Sequence, residues 1–249
     1  MTTTPHTLTK RQIAQVEEFL HTFADIEKAL RKRLGKSARA QSRVSWLIDA
    51  YATKNPYWSE MADRLRTYKD IRNILTHRRG TKVGYPVAVT AASLQDLSEI
   101  AQALTHPSPI SDQFRRQVTS VSNDDNLAEV LGTVFDCGFS QFPVVNAGKF
   151  GGLITESEIV RWLGRRVRDQ MPEVNLATAV VKNVLKEKDP FMRGIAVFHF
   201  VTLDAPVDEV MARFATEQAL EVIFLTKCGT NRSPIEGIVT QWDAARYAD

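Results

Sequence analysis

Apolar residues in the first hundred positions recur every three to four residues, and the period sets the reading there. Ile13, Val16, Phe19, Leu20, Phe23, Ile26, Leu30 and Leu34 share one face and predict a helix over 8–34, closed by Gly35. A second helix runs over 44–53 and stops before Asn55-Pro56, because the residue ahead of a proline is steered out of the helical region. A third spans 57–79 with Met61, Leu65, Tyr68, Ile71 and Leu75 inside and Gly80 at its end. A fourth starts behind Ser93 as N-cap and ends before His106-Pro107. Four helices with short connections predict a bundle over residues 1–106, and the proline-stiffened segment 107–111 reads as the linker.

Beyond the linker the period shortens and the chain repeats itself. An extended start (118–121; 200–203) leads into a helix with apolar residues at Leu127, Val130, Leu131 and Val134, then at Val207, Val210, Met211 and Phe214. Two short apolar strands follow, 142–145 with 151–154 and 222–225 with 235–239. Each copy closes on a glycine, two apolar residues, a threonine and an acid: Gly152-Leu-Ile-Thr155-Glu-Ser-Glu158 and Gly237-Ile-Val-Thr240-Gln-Trp-Asp243. A unit of about fifty residues buries too little surface to be comfortable alone, so the copies are expected to pack on each other.

This order of elements, with the Pro143-Val-Val strand and the closing segments, resembles the paired CBS domain, or Bateman module, over residues 112–249, the first copy at 112–170 and the second at 171–249. The fold class expected is thus multidomain α and α/β, a helical bundle followed by a tandem CBS pair. The resemblance implies a regulatory ligand between the copies, an adenine nucleotide (AMP, ADP or ATP) or a related signalling nucleotide, with no cofactor required. The residues suit that role. Thr155 and Thr240 open helices, where a hydroxyl adds to free N–H groups and the positive dipole end in holding a phosphate. Glu158 and Asp243 lie one turn on, within reach of ribose hydroxyls, and Arg161 and Arg246 three residues further could meet phosphates. Aspartate is the family's usual ribose acceptor, which favours Asp243; Glu158 is one methylene longer. The same residues also fit plain capping boxes with solvated arginines.

Composition narrows the partners. The net charge of +3 divides unevenly: residues 1–110 hold 17 Lys/Arg against 10 Asp/Glu, a net of +7, and the remainder 15 against 19, a net of −4. Such asymmetry points to a polyanion, or an acidic partner subunit, at the N-terminal part. No apolar run approaches eighteen residues, so no membrane span is expected, and the start lacks a secretory pattern. Cys137 and Cys228 match no metal or redox spacing, which gives reduced thiols, a cytoplasmic location and no metal site. Phosphate-loop, zinc-protease and serine-hydrolase motifs are absent from the sequence.

One unused motif remains in the third helix. Ile71-Arg72-Asn73-Ile74-Leu75-Thr76-His77 resembles the Arg, Asn, His signature of the HEPN superfamily, which implies metal-independent ribonuclease activity on RNA at a homodimer interface. An imidazole can transfer the 2′-hydroxyl proton near neutral pH, a guanidinium can hold the charged phosphorane, and Asn73 can orient either. Five helical steps set Arg72 and His77 roughly 140° apart, so the pair converges only if the helix loosens or two subunits contribute. The alternative is a non-catalytic sensor, with His77 favoured at a helix C-terminus and Arg72 paired to Asp70 or Glu60.

Overall fold

In the computed structural model, which describes residues 8–38, 43–77, 84–169, 175–187 and 197–247 without the side chains of Ser37 and His77, helix α1 (Lys10–Leu34) starts at Thr9. The Thr9 hydroxyl accepts from Gln12 N, and Gln12 Oε1 accepts from Thr9 N, a complete capping box; Gly35 at φ 59° ends the helix. Helices α2 (Val44–Lys54), α3 (Ser59–His77) and α4 (Ala91–Thr105) follow, with a 3-10 turn at Pro56–Trp58 before α3. The helical N-terminal region expected from the periodicity is present. Its core is the predicted apolar face: Phe19, Phe23, Ile26 and Leu30 of α1 pack with Leu47, Ile48, Tyr51, Trp58, Leu65, Leu75, Leu97 and Leu104. The predicted end of the third helix, Arg78–Gly80, lies outside the described residues.

One local difference has a plain cause. α4 begins three residues early because Thr90, not Ser93, is its cap: Thr90 is extended and its hydroxyl accepts from Ser93 N at 3.1 Å. Across the bundle, Arg64 and Tyr68 of α3 both donate to Asp96 of α4. Burial opposes ionisation of Asp96, but these two hydrogen bonds outweigh it and hold the carboxyl below its ordinary range.

The second half is the α/β region. Its elements are α5 (Ser111–Phe114), α6 (Leu127–Cys137), β1 (Gln141–Asn146), β2 (Lys149–Thr155), α7 (Glu156–Arg168), α8 (Val181–Lys186), β3 (Phe198–Thr202), α9 (Val207–Thr216), β4 (Val222–Thr226), β5 (Ile235–Thr240) and α10 (Gln241–Tyr247). β1 and β2 form one antiparallel sheet; β3 pairs parallel with β4, and β4 antiparallel with β5, in another. The expected order of elements is complete in the second copy. In the first copy the opening strand shrinks to Val121, which bridges to Val144 through Val121 N to Pro143 O and Val145 N to Val121 O. Phe150 of β2 lies edge-on to Phe198, Phe200 and Phe224, with centroids 5.0 to 5.4 Å apart, so an aromatic cluster joins the two sheets.

Contacts divide the chain into two compact units, 1–108 with 206–216, and 109–205 with 217–249. Helix α9, read from the sequence as part of the second copy, therefore groups with the bundle, where it packs on α2 and the 3-10 turn. The physical reason is Arg33. Its Nε donates to Leu104 O at 2.9 Å and its Nη2 to Ala103 O, while Nη1 donates to Tyr51 Oη at 2.7 Å and to Glu209 Oε1 of α9 at 2.8 Å. Asp208 of α9 lies 3.8 Å from the same nitrogen. Burial pushes the Tyr51 hydroxyl well above its usual range, and the negative charge of Asp208 pushes it further, so the tyrosine stays a neutral donor and acceptor.

Replacing Arg33 by methionine keeps the stem and strands the carbonyls and carboxylates it satisfies, and should cost about 3 kcal/mol. Tyr51→Phe removes one hydrogen bond and should cost about 1 kcal/mol. Urea unfolding of both variants checks the ranking; equal losses would mean that the guanidinium contributes only through Tyr51.

Candidate functional site

Strand β2 runs straight into α7 at Thr155, and this junction is where the chemistry gathers. Thr155 is extended and buried. Its hydroxyl accepts from Glu158 N at 3.2 Å, and Glu158 Oε2 accepts from Thr155 N at 3.1 Å, so the predicted capping box is present. The Thr155 and Ser157 hydroxyl oxygens are 3.0 Å apart. Glu156 N is taken by Ser140 O at 2.9 Å, which pins the segment ahead of β1 beside the helix start.

A cavity of about 560 Å³ opens at this junction. From the first copy it is lined by Ser140, Gln141, Thr155, Glu156, Ser157, Val160 and Arg161, and from the second by Gln218, Ala219, Glu221 and Gln241. The lining follows the repeat. Glu156 and Gln241 each follow the motif threonine, and Gln141 and Glu221 each enter the strand ahead of it. The volume is that of a small-molecule site. Of the predicted ligand residues, Thr155 and Arg161 are among the lining and Glu158, Thr240, Asp243 and Arg246 are not. Gln141, Glu156, Ser157, Glu221 and Gln241 line the cavity without having been singled out from the sequence, although superposing the two copies pairs Gln141 with Glu221 and Glu156 with Gln241.

The second threonine is differently engaged. Asp243 Oδ2 accepts from Thr240 N and from Thr240 Oγ1, both at 2.8 Å, and Arg116 Nη2 approaches it at 3.4 Å. Arg116 also donates to Ile238 O, and its backbone N donates to Glu236 O. Arg115 pairs with Gly237 as an isolated bridge and with Glu236 through its side chain. Thus the segment 114–116 lies along β5 and brings a cation to the carboxylate that was expected to meet a ribose.

In the bundle, Arg72 Nη1 donates to Asn73 Oδ1 at 3.3 Å. Asp70 pairs with Lys69 instead, and no acid pairs with Arg72 among the described residues. The backbone is helical through this stretch, with Thr76 Oγ1 donating to the carbonyl of Arg72 at 2.9 Å. The side chain of His77 lies outside the described residues.

Residues 110–165 match the CBS domain family. The α/β region is CBS-like, and no curated protein matches the chain. Three solved structures are similar to it. One, described as a signal-transduction protein with CBS domains from Burkholderia ambifaria, is 17% identical, covers 53% of this chain and 83% of its own, and has a TM-score of 0.39. The CBS domain of a membrane protein from Sphaerobacter thermophilus is 22% identical over 56% of this chain and 87% of that one, with a TM-score of 0.39. CBSX2 in complex with AMP is 12% identical over 56% and 95%, with a TM-score of 0.40. Among the described residues no helix is long and apolar enough to cross a membrane.

Gly237 occupies the same motif position as Gly152 and is needed for its own reason. A Cβ there would stand 2.3 Å from Phe114 O and 2.8 Å from Leu225 Cδ1. Gly237→Ala should therefore displace the 114–116 segment, separate Arg116 from Asp243 and destabilise the protein by about 2 kcal/mol or more. Hydrogen exchange at Arg116 N, which donates to Glu236 O, reads the displacement directly: unchanged protection in the variant would refute it.

Proposed function

We propose that the chain is a regulatory protein whose CBS-like unit binds an adenine nucleotide or a related signalling nucleotide in the cavity at the start of α7. The observation that carries this reading is a cavity shared by both copies, with the Thr155 and Ser157 hydroxyls and the Arg161 guanidinium gathered at the N-terminal end of a thirteen-residue helix. A phosphate fits there, because the dipole, the hydroxyls and the cation all favour a negative group. Gln141 and Gln218 offer amides for a base, Gln241, whose Nε2 donates to Leu220 O, offers its carbonyl oxygen, and the carboxylates of Glu156 and Glu221 are acceptors for ribose hydroxyls. One arginine faces two carboxylates in the lining. A monophosphate or a nucleoside-like ligand is thus favoured over a triphosphate, which would bring several charges against Glu156 and Glu221.

AMP at a hundredfold over its dissociation constant should stabilise the protein by about 2.7 kcal/mol, with ATP giving a smaller shift at equal concentration. Thr155→Ala and Arg161→Ala should lose most of the AMP shift, and Asp243→Ala little, since its carboxylate is already engaged. A panel of AMP, ADP, ATP, S-adenosylmethionine and cyclic dinucleotides that leaves the melting temperature unmoved would remove the sensor reading.

A second reading concerns what the sensor controls, and the pairing of Arg72 with Asn73 rather than with an acid favours it. In this reading the bundle is a HEPN-like ribonuclease that works as a homodimer and cleaves RNA without metal, Arg72 binding the phosphate and His77 moving the proton. A regular helix keeps the two apart, so the acting pair comes from two chains. Arg72→Ala and His77→Ala should each abolish cleavage in EDTA, and mixing them should restore part of it. Cleavage that survives both substitutions, or none by the wild type with any nucleotide, leaves a non-catalytic sensor.

A further inference from the structure

The helical unit has a cavity of its own, of about 640 Å³, that neither reading uses. One wall is a single face of α1, where Asp25, Lys28, Ala29, Lys32 and Arg33 recur at helical spacing; the opposite wall is Ala101, Leu104 and the residues that end α4. Ala29 and Leu104 are buried, and Pro107 and Pro206 add apolar surface. Lys28 and Lys32 stand one turn apart and pair with no carboxylate among the described residues. Arg33 is already committed to Glu209, so its charge is spent inside the protein. Thr105 Oγ1 donates to Ala101 O and accepts from His106 Nδ1 at 2.9 Å, which makes Nε2 an acceptor in the neutral ring.

A helix C-terminus normally repels an anion, and here that objection is removed. The carbonyls of Ala101, Gln102, Ala103 and Leu104 are engaged by Thr105 Oγ1, His106 N, Arg33 Nη2 and Arg33 Nε. What is left charged in the lining is the Lys28 and Lys32 ammonium groups against the single Asp25 carboxylate, beside an apolar floor. We propose that this cavity is a binding site for a small amphipathic organic anion, with an aromatic or branched aliphatic body against Ala29, Ala101 and Leu104 and one carboxylate, sulfonate or phosphate head between Lys28 and Lys32. Asp25, also in the lining, selects against a second negative group. The volume falls in the range of small-molecule sites, and apolar walls with a few convergent polar groups are how such sites are built.

Naphthalene-2-sulfonate and its uncharged sulfonamide serve as probes by titration calorimetry on the full chain. The sulfonate should bind saturably with a dissociation constant below about 1 mM, and the sulfonamide about tenfold more weakly. The surface pair Lys28→Glu/Lys32→Glu should weaken the sulfonate at least tenfold. Ala101→Phe should fill the cavity and weaken both probes. Arg161→Ala, in the other cavity, should change neither, which separates this site from the nucleotide pocket. Equal binding of both probes, an unchanged constant in the lysine variant, or no saturable heat would each overturn the proposal.

Discussion

A single, largely buried guanidinium organises the helical unit. Arg33 carries five N–H donors in a rigid fork, and a buried cation is tolerated only when those donors find acceptors. Four acceptors come from three directions: two carbonyls that end α4, the Tyr51 hydroxyl of α2, and Glu209 of α9. Since α4 has no basic residue in its last turn, Arg33 also supplies the charge that its carbonyl end lacks. The positions of α1, α2, α4 and α9 are thereby tied to one side chain. None of the four could shift far without stranding a buried polar group.

The CBS-like unit rests on a different principle, near-symmetry with unequal detail. Both copies place a strand, a threonine and a helix in succession, and the aromatic contacts of Phe150 bind one sheet to the other. Equivalent positions have nevertheless diverged in what they do. Thr155 opens a helix at a cavity, whereas Thr240 and Asp243 are enclosed in a local network with Arg116. Gly152 and Gly237 share a motif position, but Gly152 has φ 152° and open space around it, and Gly237 admits a neighbouring backbone. Repetition has kept the scaffold and released the sites.

How far the sequence could be read follows from the range of the interactions involved. Helices α1 to α4 and the order of strands rest on local periodicity, and those were legible. The start of α4 was misplaced because Thr90 and Ser93 both can cap, and only the backbone conformation of Thr90 decides between them. Helix α8 escaped notice because six residues give too little period, although Val181 and Val184 are buried in the first copy's core. The pairing of Arg116 with Asp243 joins residues 127 positions apart, and nothing in the local pattern announces it. Much of the cavity lining is single glutamines, glutamates and serines, which carry no period; comparing one copy with the other points to Gln141 with Glu221 and Glu156 with Gln241, but not to the serines or Gln218.

The membership of α9 also fixes an order of events. Most of the helical unit precedes the α/β unit in sequence, yet Glu209, which pairs with Arg33, lies 176 positions beyond it, with the buried faces of Val207, Val210 and Met211. During synthesis the bundle must wait, with a buried arginine unanswered, until most of the α/β unit has emerged. The unit that begins earlier is therefore not the earlier to finish, and the two units share one folding schedule.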